Sequence, residues 1–125
     1  FNFPVTVVTP AAFGDKKKLP PEAPRHYKQA LPDPESRTAA YAFSAELLRA
    51  TDFWADQWRQ IGTLARKPCL IFWGMKDAFV PPYELERWRK ALPEAQVMRF
   101  ENAGHFVQEE EPERMAEALR VFFGA

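Results

Sequence analysis

Residues 68–124 alternate twice between a strand-length apolar run and an amphipathic helical segment, and this alternation limits the fold more than any other feature. "RKPCLIFWG" holds a continuous apolar run between Pro68 and Gly74. A strand covered on both faces reads this way, and such strands belong to parallel sheets flanked by helices. "YELERWRKALP" predicts an amphipathic helix with Leu85, Trp88 and Leu92 inward and Pro93 as its stop. "AQVMRF" predicts a second short strand. "PERMAEALRVFF" predicts a closing helix, with Pro112 in its first turn and Met115, Leu119 and Phe122 inward. The order strand, helix, strand, helix implies an α/β layer with right-handed crossovers. Two strands make a poor sheet alone, so the segment reads as the edge of a larger parallel sheet whose other strands lie outside this chain.

The residues before this unit read differently. Seven prolines (Pro4, Pro10, Pro20, Pro21, Pro24, Pro32 and Pro34) fall in the first 35 residues and exclude long regular elements there. One short helix is expected to begin near Pro21. "AFGDKKKL" reads as a turn with a solvated lysine run, residues 16–18. Ser36 is expected to cap a helix that runs to Arg49 with Ala40, Phe43 and Leu47 on one face. Thr51 or Asp52 is expected to cap another, in which Trp54, Trp58, Ile61 and Ala65 recur at helical spacing as core residues.

The charge balance narrows the function. Seventeen basic and seventeen acidic residues cancel, so no basic face argues for nucleic acid. The acidic run, residues 109–111, reads as a solvated face favouring the N-terminus of the last helix. The single cysteine, Cys69, rules out a disulfide within the chain and is compatible with a reducing compartment. No apolar run approaches the roughly 18 residues of a membrane helix. One cysteine and two distant histidines make no zinc pattern, and the five scattered glycines make no phosphate loop. A start at Phe1 reads as a processed terminus, a clipped chain or a fragment.

In open α/β sheets function collects in the loops at the carboxyl ends of strands. One such loop, "WGMKD", carries Asp77, and the other, "NAGHF", carries His105. Parallel neighbours lie about 4.8 Å apart, so the two side chains can meet. A carboxylate accepting from one ring N–H fixes the imidazole tautomer and stabilises the imidazolium formed when the other nitrogen takes a proton. That is the acid and base of a hydrolytic triad. Each residue alone has a plainer reading: an aspartate after a strand is a common turn former, and a histidine in a loop is often a surface residue. His26 has no acid placed to orient it and reads as structural or exposed. No G-x-S-x-G occurs, and Ser36 and Ser44 sit in helical or cap settings.

The stretch from "KPCLIFWGMKD" to "MAEALRVFF", about half the chain, resembles the last third of an α/β-hydrolase. The "WG-x-x-D" loop resembles that family's acid loop and "AGH" its histidine loop, which implies Asp77 as acid and His105 as base. The earlier residues resemble the helical cap inserted before the last two strands. The resemblance divides the chain into a helical cap region over residues 1–50 and the C-terminal part of the core over 51–125. "FGDKKKL…HYKQALPDPESR", the aromatic helix and "WGMKDAF…LERW" are most similar to the haloalkane dehalogenase branch. In that branch an aspartate is the nucleophile and the histidine activates water against the resulting ester. Serine esterases and lactone- or epoxide-cleaving hydrolases share the layout. The resemblance implies a small apolar substrate, no cofactor, no metal and a cytoplasmic location. It implies a pocket walled by Phe43, Phe53, Trp54 and Phe106. Nucleophile, elbow and oxyanion hole belong to the N-terminal half of the fold, which becomes the expected partner, in the same gene product or a second chain. Alone, the chain is expected to be inactive. The competing expectation is a non-catalytic half-fold that binds a partner chain.

Overall fold

The first strand ends where its side chains run out: Gly74 closes it because a neighbouring backbone lies where a Cβ would stand. In the computed structural model, which describes residues 4–124, this strand, β1 (Leu70–Gly74), pairs in parallel with β2 (Gln96–Phe100). The register runs from Leu70 opposite Gln96 to Gly74 opposite Phe100. Ladder bonds continue past the strand ends, from Met75 N–H to the Phe100 carbonyl at 3.0 Å and from Lys76 N–H to the Ala103 carbonyl at 2.9 Å. The two loops that follow the strands are therefore stitched to each other.

Ten further elements accompany this pair among the described residues. A π-type turn (Pro4–Val8) runs into α1 (Thr9–Ala12), and a 3₁₀ turn (Lys16–Lys18) follows. Then come α2 (Ala23–Ala30), α3 (Pro34–Arg49), α4 (Thr51–Arg59) and a 3₁₀ stretch (Ile61–Arg66). Helix α5 (Pro82–Ala91) crosses between the strands, and α6 (Val107–Glu110) and α7 (Pro112–Phe123) end the chain. Proline opens α3, α5 and α7, where its missing N–H has no intrahelical partner to lose. Gly124 ends α7 at φ 69°, the left-handed conformation that glycine adopts at little cost.

The core is small and sits under the two loops. Phe100, Ala103 and Val107 form its buried centre, with Phe72, Met98 and Met115 packed against them. Leu85 and Leu92 of the crossover helix segment are buried as expected. Leu119 is 37% exposed, so the inward face of α7 is carried by Met115 and Phe122.

Several local expectations are corrected. The cap of α3 is Asp33, whose Oδ1 accepts from Ser36 N–H at 2.8 Å; Ser36 is the third helical residue of a capping box. Helix α4 follows Ala50 with no side-chain cap. The residues of β1 are half-buried, with only Gly74 buried, because one edge of the strand has no strand partner among the described residues. Trp54 is exposed and not core; Trp58 instead packs edge-on against Trp88, ring centroids 5.1 Å apart. Lys18 is not merely solvated: its Nζ donates to the Glu110 carbonyl at 2.9 Å and to Glu111 Oε1 at 2.5 Å. Glu110 is not part of a solvated face but buried. No helix among the described residues is long and apolar enough to cross a membrane.

Candidate active site

The acid loop forms because Asp77 turns the chain back on itself. Its Oδ1 accepts from Phe79 N–H at 2.8 Å and from Val80 N–H at 2.9 Å. This is the local turn an aspartate favours, so the turn-forming reading of Asp77 is correct as far as one oxygen goes. The other oxygen, Oδ2, lies 2.9 Å from His105 Nδ1. A carboxylate only accepts, so Nδ1 is the ring nitrogen that carries hydrogen, and Nε2 of the neutral ring keeps its lone pair. The Asp77 side chain is 9% exposed and that of His105 is 39% exposed. The carboxylate is thus shielded while the imidazole remains reachable.

Two rings fix the imidazole from the sides. Phe79 meets it edge-on with centroids 5.4 Å apart, and Phe106 meets it at 5.5 Å. Phe106 in turn packs on Phe13 at 5.9 Å. Of the four residues expected to wall a pocket, only Phe106 is at this pair. Phe43, Phe53 and Trp54 are 64%, 54% and 44% exposed on α3 and α4 and do not line the groove that holds Asp77 and His105. That groove measures about 580 Å³ and is mostly apolar, with Ile71, Trp73, Val80 and Trp88 among its walls. Much of it is the open edge of β1 rather than an enclosed cavity.

The backbone beneath the pair is packed without room for side chains. A Cβ on Gly74 would overlap the Gly104 carbonyl, and one on Gly14 would stand 2.5 Å from the Asn102 carbonyl oxygen. The strand end, the histidine loop and the N-terminal segment therefore meet backbone to backbone. His105 N–H donates to the Ala12 carbonyl at 2.7 Å. The role of residues 12–18 in holding this loop was invisible to periodicity, since the contacts span more than 90 residues of sequence. Phe79 was also missed. Its position two residues past Asp77, inside the turn that Asp77 closes, is the local signal that places its ring beside the partner of that carboxylate.

A shielded carboxylate holding one nitrogen of an accessible imidazole, on adjacent loops of a parallel pair, is an arrangement for proton transfer. The sequence profile described as the alpha/beta hydrolase fold matches residues 9–112. The chain belongs to the α/β-hydrolase fold family. Among its relatives, haloalkane dehalogenase 2 of Mycobacterium tuberculosis is 33% identical over 125 residues, covering 98% of this chain and 43% of the relative. A cis-3-alkyl-4-alkyloxetan-2-one decarboxylase of Xanthomonas campestris is 30% identical over 114 residues, covering 87% of this chain and 38% of the relative. This α/β-hydrolase chain thus spans less than half the length of these two relatives. The two-stranded parallel sheet and its flanking helices are the C-terminal part of the fold, as the resemblance implied.

Proposed function

We propose that this chain supplies the acid, Asp77, and the base, His105, of a nucleophile–acid–histidine triad in a haloalkane dehalogenase-like hydrolase acting on a small apolar substrate. The observation that carries the reading is the 2.9 Å contact from Oδ2 to Nδ1, with Oδ1 independently held by two backbone amides. In the reaction a carboxylate nucleophile, contributed by residues outside this chain, displaces halide from carbon and forms an ester. Nε2 of His105 then takes a proton from water, which adds to the ester carbonyl. Asp77 stabilises the imidazolium formed in that step, and the ester breaks to alcohol and free carboxylate.

The partner is the N-terminal half of the fold, in the same gene product or a second chain. The edge of β1 that has no strand partner among the described residues supports this, since such an edge is ordinarily covered by another strand. Exposed Phe43, Phe53 and Trp54 become pocket walls only against that half. The proposed location is the cytoplasm, in keeping with the lone Cys69.

The test is halide release from short haloalkanes by the full-length protein. His105→Ala is expected to lower the rate by about 10²–10⁴-fold. Wild-type release by that variant overturns the reading. A second reading, cleavage of a strained cyclic ester, is favoured by the relative whose name includes an oxetan-2-one. Ring opening of such a lactone without halide release would select it. A third reading is a non-catalytic half-fold that uses the β1 edge only to bind a partner chain. Stable partner binding with no turnover of either substrate class would select that one.

A further inference from the structure

Glu110 is 4% exposed, and three backbone amides donate to its carboxylate, with the Lys18 ammonium close enough to add charge attraction. Oε1 accepts from Gly14 N–H at 3.0 Å and from Gly104 N–H at 2.6 Å, and Oε2 accepts from Asp15 N–H at 2.9 Å. A buried carboxylate is retained only when its oxygens are bonded in this way, and removing it strands the donors it served. One carboxylate thus ties the residue immediately before His105 to a segment 95 and 96 positions away from Glu110. The next amide, His105 N–H, is anchored to the same segment through the Ala12 carbonyl. Two successive amides of the histidine loop are therefore held, one directly and one through Glu110. Lys18 fastens the clamp from outside by donating to the Glu110 carbonyl at 2.9 Å.

We infer that Glu110 is a positioning residue: its carboxylate, bridging Gly104 to residues 14–15, fixes the backbone from which His105 reaches Asp77. Gly104 has no side chain to restrict its own dihedrals, so its conformation is set by what its N–H and neighbours touch. The Oδ2–Nδ1 bond at 2.9 Å has little slack, because a displacement of about 1 Å takes it outside hydrogen-bonding range. The catalytic consequence rests on the triad reading, whereas the effect on the ring does not.

The chain has only two histidines, and His26 lies exposed on α2 with none of its contacts to the clamp, so it serves as an internal control. Ring ¹⁵N spectra of the full-length protein, taken where the imidazoles are neutral, read the tautomer of each. In the unaltered protein His105 is expected to be held as the Nδ1–H form. In Glu110→Gln, where an NH₂ must face one of the amides, His105 is expected to shift toward the tautomer mixture of His26, while His26 stays put. A core variant, Leu85→Ala, is expected to lower stability without moving the His105 tautomer. If Glu110→Gln only lowers stability and leaves His105 in the Nδ1–H form, the inference is overturned. Should the variant not fold, amide exchange in the unaltered protein decides. Gly14, Asp15 and Gly104 are expected to be protected together, and Gly104 exchanging like an exposed amide would refute the clamp. In the enzyme assay kcat is expected to fall about 10²-fold with KM within about twofold. Absence of any turnover in the unaltered protein would count against the triad reading and leave the tautomer result standing.

Discussion

Asp77 divides its carboxylate between two tasks: Oδ1 closes its own turn through Phe79 and Val80, and Oδ2 reaches His105 Nδ1 at 2.9 Å. The turn holds the acid through bonds that do not involve the histidine. Because each oxygen has a separate role, the two can be tested apart.

Asp77→Asn can keep the turn, since the amide oxygen can still accept from Phe79 and Val80. It then presents an NH₂ to Nδ1 and favours the wrong ring tautomer. The expected result is a melting temperature close to that of the unaltered protein with kcat lower by about 10⁴-fold, measured by substrate turnover in the full-length protein. Unchanged turnover would remove Asp77 from the reaction.

Gly74→Ala places a methyl group where the Gly104 carbonyl lies, and neither backbone can move without breaking the bond from Lys76 N–H to the Ala103 carbonyl. The expected cost is about 1–3 kcal/mol of stability, read from urea midpoints. Gly62→Ala, where open space surrounds the position, is expected to be close to neutral on the same measurement.

Leu85 is fully buried on α5, which packs against β1 and the 3₁₀ stretch Ile61–Arg66. Leu85→Ala deletes that packing and leaves a cavity. A loss of about 2–5 kcal/mol is expected from the lost transfer free energy and the cavity together. A loss well under 1 kcal/mol would mean that the helix is not docked as described.

The ion pair of Lys18 and Glu111 predicts a pH dependence. The hydrogen bond from Lys18, helped by Arg114, holds the Glu111 carboxyl below its ordinary value of 4.5. A group whose folded value is depressed adds stability above its unfolded value and loses it as pH falls through the folded one. The same bond holds the Lys18 ammonium above its ordinary 10.5, a contribution lost as pH rises through that raised value. Glu111→Gln is therefore expected to be less stable than the unaltered protein at neutral pH. The gap should close as the pH is taken well below 4.5. Urea midpoints of the two proteins across that range check it, and a gap independent of pH would contradict it.

The sequence by itself determined the local elements and the two loops of the site. Apolar runs set β1 and β2, a proline opened α7, and the turns "WGMKD" and "AGH" placed Asp77 and His105 at the same edge of a parallel pair. Those signals are short in range, and periodicity reads them directly. Only the tertiary structure decided that Glu110 of an acidic run is buried, that Lys18 of a lysine run is paired, and that residues 12–18 hold the histidine loop. It also left Phe43, Phe53 and Trp54 exposed despite their apolar character. The physical reason is common to all of these. Whether a side chain is buried or paired depends on which backbone arrives from far along the chain, and helical or strand spacing carries no record of that arrival.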